Sequence, residues 1–331
     1  MENKKRKAII AAQSWVQDQV IRIEENGASV KIIPARIDSA FMQEISAADA
    51  LIVGILPIPR QVMEKAPDLA IIAVQGVGYN TVDLPAADEF GIVVTNTPMV
   101  NSDAVAEFTF GLMLAITRRI PQGWAEMTEG GWNRLKFSGT ELRGKTLGLL
   151  GFGQIGRRVG KLGTAFGMEV LAWDQILDEK VFKEAGAEPV SKEWVIQQAD
   201  ILSLHLPLTP ETRNIIDNRE LAMMKPTSYL INTARGGLVN RDALMKALDG
   251  GRLLGAAIDV FEQEPPEDRI LIEHPKILVT PHIAGFTEEA RYRMGMTAAD
   301  QVVHALRGEK PPCQVNHPQN PRYEKFYTSP P

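Results

Sequence analysis

Short apolar runs of a few residues recur along the whole chain. Most are separated by stretches whose apolar positions return every three or four residues. The runs suit strands buried on both faces, and the intervening periodicity suits helices with one apolar stripe. The runs at 8–11, 30–33, 50–54, 70–74, 92–94, 146–150, 170–173, 201–204, 228–232, 254–259 and 277–280 read as strands. Two helices stand out by length. Residues 102–120 begin at an Asn101/Ser102 cap. Residues 287–306 carry Ala290, Met294, Ala298, Val302 and Leu306 at intervals of four. The alternation implies an α/β chain with parallel sheets covered by helices on both faces.

One strand run leads into Gly151, Gly153 and Gly156, spaced G-x-G-x-x-G, and Asp174 follows 18 positions after the last of them. Three glycines alone mean little. Here an apolar strand precedes them, a helical pattern (Ile155, Val159, Leu162, Phe166) follows, and Asp174 ends a second strand run. That is the layout of a turn that cradles a dinucleotide pyrophosphate at a helix N-terminus. An acid at position 174 accepts bonds from the adenosine ribose hydroxyls and repels a 2′-phosphate. No basic residue follows at Gln175 or Ile176, so NAD is expected rather than NADP.

A Rossmann unit that opened the chain would show this turn early. Here about a hundred residues of α/β pattern precede it. Two domains follow: 1–100 with 287–331, and an inserted dinucleotide-binding domain at 101–286. The length of 331 residues agrees. A net charge of −5 argues against a nucleic-acid footprint. The single Cys313 excludes an internal disulfide framework. With no run of 18 apolar residues, no membrane span is expected, and a cytoplasmic location follows. The basic start reads as a solvated tip, and the Pro-rich tail from Gly308 as irregular. No metal site is expected.

Three segments just past strand ends carry chemistry: INTARGG with Arg235, DVFEQEP with Glu264, and PHIAG with His282. Ligands of open α/β sheets bind at that edge. A histidine can take the proton of a hydroxyl as hydride leaves its carbon, and return it in reduction. A carboxylate orients the ring, and an arginine offers forked donors to a carboxylate or carbonyl. A lone histidine after a strand is more often structural, and a lone Arg–Glu pair is more often an ion pair. All three together, downstream of a dinucleotide turn, make a catalytic set. His205, at another strand end, reads as structural or as part of the cofactor pocket. A second glycine turn, QGVGYN at 75–80, could hold a carboxylate on the N–H groups of Val77 and Gly78.

The segments QGVGYNTVD, NSDAVAEFTFGLML, ELRGKTLGLLGFGQIG, LHLPLTPETRN, LINTARGGLVN, DVFEQEP and PHIAGFTEEA resemble the D-isomer-specific 2-hydroxyacid dehydrogenase family, over about residues 8 to 315. The resemblance implies two doubly wound parallel-sheet domains, a flavodoxin-like substrate domain built from both chain ends and an inserted Rossmann NAD domain. It implies Arg235 as substrate anchor, Glu264 as partner of the histidine and His282 as acid/base. Val77 and Gly78 match the carboxylate-binding turn, and Gln154 and Ile155 match pyrophosphate contacts. Pro207, Thr212, Thr233, Asp259 and Gly285 fall where the family lines the nicotinamide side. A homodimer through the NAD domain is implied, and so is closure about hinges at 98–102 and 285–287.

Within the family, D-3-phosphoglycerate dehydrogenases and hydroxypyruvate or glyoxylate reductases fit best. The Arg-Ser pair that holds a phosphate is replaced by Gly54-Ile55-Leu56-Pro57, leaving Arg60, Arg134 or Lys136 as substitutes. No C-terminal regulatory domain is expected. Two alternatives stay open: an NAD(H)-sensing, corepressor-like binding protein of the same fold, and a phosphite- or formate-type dehydrogenase.

Overall fold

A computed structural model describes residues 5–175 and 178–327; the start of the basic tip, residues 1–4, and Ile176 lie outside them. The chain divides into two compact units, Met1–Asn101 with Phe286–Pro331, and Ser102–Gly285.

The first unit begins with β1 (Arg6–Ala11), α1 (Gln17–Glu24), β2 (Ala28–Ile32), α2 (Ser39–Ile45) and β3 (Ala50–Val53). It continues through α3 (Arg60–Glu64), β4 (Ile71–Val74), α4 (Leu84–Glu89) and β5 (Val93–Thr95). Its five strands lie in the order β2-β1-β3-β4-β5, all parallel, so the winding reverses between β1 and β3. The period-two geometry of a strand explains the continuous apolar runs. Ile9 and Ala11 enter one core with Leu51, Ile72 and Phe41. Ala8 and Ile10 enter the opposite core with Ile52, Ile71 and Val20.

The second unit opens with α5 (Ser102–Thr117) and α6 (Ile120–Thr128). Then come β6 (Thr146–Leu150), α7 (Gln154–Ala165), β7 (Glu169–Trp173), α8 (Glu179–Glu184), β8 (Glu188–Pro189), α9 (Lys192–Gln198) and β9 (Ile201–Leu204). It ends with α10 (Asn218–Met223), β10 (Tyr229–Asn232), α11 (Arg241–Asp249), β11 (Gly255–Ile258), α12 (Ile270–Glu273) and β12 (Ile277–Val279). Its seven parallel strands lie in the order β12-β11-β10-β9-β6-β7-β8, reversing between β6 and β9. Here too each strand feeds two cores: Leu230 packs with Leu202 and Leu248, while Ile231 packs with Leu147 and Phe110. Both units are therefore doubly wound α/β sheets.

The chain returns to the first unit in α13 (Glu288–Leu306), where Thr287 caps by accepting from Ala290 N. Ala298, Val302 and Leu306 bury the four-residue stripe against the β1 side core.

Two local expectations are corrected, and one strand was not expected. The helix expected over 102–120 is two helices, because Arg119 adopts φ 52° and turns the chain. The cap expected at Asn101 is not made, since its Oδ1 has no hydrogen-bond partner among the described residues. The two-residue edge strand β8 has no apolar run to announce it, and its proline suits an edge. The tail is mostly irregular, yet it is anchored. Asn316 Oδ1 accepts from Val94 N at 2.6 Å, and its amide donates to Ile92 O at 2.9 Å.

Candidate active site

Every functional candidate of the second unit lies just past the carboxyl end of a strand or at the start of the helix that follows. The glycine turn follows β6. Gly151 has φ +94°, and a Cβ there would stand 2.5 Å from the His205 carbonyl oxygen, so only glycine fits. A Cβ at Gly156 would meet the Gly151 carbonyl oxygen at 2.2 Å, which lets α7 start tight against the turn. Gly153 faces open space, and α7 begins there with no side chain capping its N–H groups. Gln154 and Ile155 form its first turn, and Gln154 Oε1 accepts from Arg158 Nη1 at 2.9 Å. An uncapped helix start, reached through open space, is a ready anion site. Asp174 stands one residue past β7, and its Oδ2 accepts the Phe152 N–H at 2.7 Å. The acid expected at the ribose thus braces the glycine turn from the neighbouring strand. These residues fit a bound dinucleotide.

The catalytic candidates follow three adjacent strands: Arg235 after β10, Glu264 after β11, His282 after β12. His282 Nδ1 lies 2.6 Å from Glu264 Oε2, and Glu264 Oε1 accepts the Phe261 N–H at 3.0 Å. Burial works to raise the Glu264 pKa. The hydrogen bonds from His282 and Phe261, with the His282 and Arg235 charges, outweigh it and hold the carboxyl below its ordinary value. Burial pulls the Arg235 pKa down and the Glu264 charge opposes it. Gly236 packs against the backbone of Phe261 and Glu262, which sets the Arg235 loop against the Glu264 loop. Arg235 Nη1 also donates to the Ala234 carbonyl at 2.6 Å. The three residues are therefore brought together.

His282 has φ 53°, a left-handed conformation that costs energy for a non-glycine residue. Asp259, fully buried, holds it there. Its carbonyl accepts the His282 N–H at 2.8 Å, and its carboxylate accepts the N–H groups of Ile283 (3.0 Å) and Ala284 (2.9 Å) and the Thr280 hydroxyl. Asn232 does the same for Arg235. Its amide donates to Arg235 O at 2.9 Å and its Oδ1 accepts Ala234 N at 3.0 Å. Sequence reasoning missed Asn232; an asparagine closing an apolar strand before an arginine loop was the available signal.

Of the residues placed on the nicotinamide side, three have inward-facing side chains. The Thr212 hydroxyl bonds the Pro207 carbonyl at 2.6 Å, the Thr233 hydroxyl lies 2.9 Å from that of Thr109, and Asp259 is engaged as described. Pro207 is exposed and Gly285 half-buried at the same edge. Val77 and Gly78 lie in the first unit, half-buried in the turn after β4.

The other histidines are controls. His274 Nε2 lies 3.2 Å from Asp249 and His304 Nδ1 lies 2.8 Å from Glu309, so a His–carboxylate pair is not distinctive by itself. His274 precedes β12 and His304 ends α13, both away from the carboxyl edge. His205 lies 2.9 Å from the Ser203 hydroxyl, and desolvation holds its pKa well below the ordinary histidine value. Its backbone packs against Gly151, which suits a structural role beside the glycine turn.

The model of the D-isomer specific 2-hydroxyacid dehydrogenase NAD binding domain matches residues 110–284. The chain is 40% identical over 309 residues to the D-3-phosphoglycerate dehydrogenase of Methanocaldococcus jannaschii, covering 93% of this chain and 59% of that protein. It is 44% identical over 262 residues to the glyoxylate reductase of Aeropyrum pernix, covering 77% of this chain and 78% of that protein. The solved D-lactate dehydrogenase of Aquifex aeolicus, complexed with NAD and lactic acid, matches with a TM-score of 0.83 at 28% identity. That match covers 95% of this chain and 100% of that one.

Proposed function

The chain belongs to the D-isomer specific 2-hydroxyacid dehydrogenase family, and on that premise we propose that it interconverts a small 2-keto acid and its D-2-hydroxy acid with NAD. The observation that carries the reading is the 2.6 Å His282–Glu264 pair, set beside the Arg235 loop on the sheet edge that holds the glycine turn. NAD, when bound, supplies the carbon that gives or takes the hydride. The N–H groups at the start of α7 hold its pyrophosphate and Asp174 its adenosine ribose. Pro207, Thr212, Thr233, Asp259 and Gly285 shape the nicotinamide side.

Arg235 gives the substrate two parallel donors. In the first unit, the N–H groups of Val77 and Gly78 offer a seat for a carboxylate. Glu264 occupies His282 Nδ1, so the ring works through Nε2. In reduction, Nε2 gives its proton to the carbonyl oxygen as hydride reaches the carbon. In oxidation, the neutral ring takes the hydroxyl proton. Glu264 stabilises the imidazolium in both directions.

A substrate without phosphate fits best. Arg60 is paired to Glu89 at 2.6 Å and lies over the Phe90 ring, and Lys136 pairs with Glu126 at 3.3 Å. Two of the three candidate phosphate cations are thus engaged by carboxylates, and Arg134 is the third. Glyoxylate and hydroxypyruvate are the substrates of choice.

The second unit also presents an uncovered apolar face. No residue of α6 is buried, Trp124 is 69% exposed, and Trp132 and Leu135 beyond it are 81% and 84% exposed. These exposed apolar side chains support an interaction surface on this unit, and the occupant we propose is a second copy of the chain.

The test is a panel of glyoxylate, hydroxypyruvate, phosphohydroxypyruvate and pyruvate, each with NADH and with NADPH. Turnover fastest with NADH and an unphosphorylated acid is expected. NADH binding without turnover of any of them would leave a cofactor-sensing role.

A further inference from the structure

The turn at 75–80 is gripped from one side. The Thr97 N–H donates to the Gly76 carbonyl at 2.9 Å, and Asn96 Nδ2 donates to the Val77 carbonyl at 2.8 Å. Among the described residues only the Glu264–Pro265 bond is cis, so the 76–77 and 77–78 peptides are trans. In a trans peptide the carbonyl of one residue and the N–H of the next point in opposite directions. Two carbonyls turned toward Asn96 and Thr97 therefore turn the N–H groups of Val77 and Gly78 away from them, to one common side. Among the described residues, neither N–H donates to a protein acceptor. A pair of like-directed donors on a half-buried turn is a carboxylate seat.

We propose that Asn96 is a positioning residue for substrate binding: its amide, through the Val77 carbonyl, sets the direction of the Gly78 N–H. The proposal rests on the reading that Val77 and Gly78 hold the substrate carboxylate. Asn96 itself is fixed, being buried, with its own N–H donating to the Cys313 carbonyl at 3.2 Å. The other end of the turn is fixed as well. The Gln75 N–H donates to the Val53 carbonyl at 2.7 Å, and its side chain donates to the Ser14 carbonyl at 3.1 Å. Buried Gln19 in turn donates to Gln75 Oε1 at 3.3 Å. The 77–78 peptide is the part of the turn whose orientation depends on a single side-chain bond.

The experiment compares Asn96→Ala and Asn96→Asp with the parent protein. The first removes the amide; the second keeps its size and removes its donor. Both raise the KM for glyoxylate about 10- to 100-fold, the range for losing a well-aimed bond to a charged group. The kcat stays within about threefold, because a carboxylate contact is kept from ground state to transition state. The NADH dissociation constant and the KM for glyoxylamide, which lacks the charge, stay within about threefold by the same argument. A merely structural role would move all of these together. A KM for glyoxylate within about twofold of the parent in both variants overturns the proposal. Should Asn96→Ala melt at the assay temperature, Asn96→Leu, uncharged and close in size, takes its place. A Gly78→Pro variant, which deletes the N–H itself, separates the two levels. If Gly78→Pro raises the KM and the Asn96 variants do not, only the positioning role falls. If Gly78→Pro leaves the KM unchanged, the carboxylate seat falls too.

Discussion

Gly236 lies so close to Phe261 that a Cβ on it would stand 2.1 Å from the Phe261 carbonyl carbon. The loop that carries Arg235 therefore rests backbone to backbone on the loop that carries Glu264, and glycine alone permits the approach. Gly236→Ala must push the two loops apart. The expected outcome is about a 100-fold loss of kcat/KM, the scale for misplacing catalytic groups by an ångström. Steady-state NADH consumption, paired with a denaturation curve, reads the loss and shows that the variant remains folded.

Glu264 links activity to acid stability. Its folded-state pKa lies below the ordinary carboxyl value. A carboxyl depressed on folding contributes stability that is present above the unfolded pKa of about 4.3 and is lost as pH falls through the folded value. Glu264→Gln is therefore less stable than the parent at neutral pH, and the gap narrows as pH falls from about 6 toward 3. Denaturant midpoints across that range check the trend. A gap that widened on acidification would contradict it. The same variant should lose turnover about 10- to 100-fold, since the ring loses its counter-charge.

Arg235 is held by its own loop and by Asn232, and its fork is the feature that matters. Arg235→Lys keeps the charge and loses the paired donors. The KM for a 2-keto acid is expected to rise about 100-fold, the upper part of the range for charge-assisted bonds. An NADH titration by fluorescence should give an unchanged dissociation constant.

The Asp174 bond to the Phe152 N–H supports the glycine turn, a duty beside the ribose contact proposed for the same side chain. Asp174→Ala is expected to raise the KM for NADH about tenfold and to narrow the preference for NADH over NADPH. Kinetics with both cofactors check this.

Much of the architecture was legible because doubly wound sheets write themselves as apolar runs. The runs at 146–150 and 201–204 correspond residue for residue to β6 and β9, and most others differ only by a residue or two at an end. The glycine turn and the three catalytic candidates were legible because each sits next to a strand end, where sequence order predicts position. What escaped depends on contacts distant in sequence. The Arg119 break in the long helix is announced only by Pro121, at the start of the second helix. The inward turn of the Thr233 hydroxyl requires Thr109, 124 residues away. The bracing roles of Asn232, Asp259 and Asn96 were hidden for a related reason. A buried amide or carboxylate shows its partners only once the backbone around it is folded.

The most direct measurement is single-turnover oxidation of bound NADH by glyoxylate in His282→Ala beside the parent protein. The account predicts a rate lower by about three orders of magnitude, within the range for loss of a general acid, with NADH affinity unchanged. An undiminished rate in that variant would contradict it.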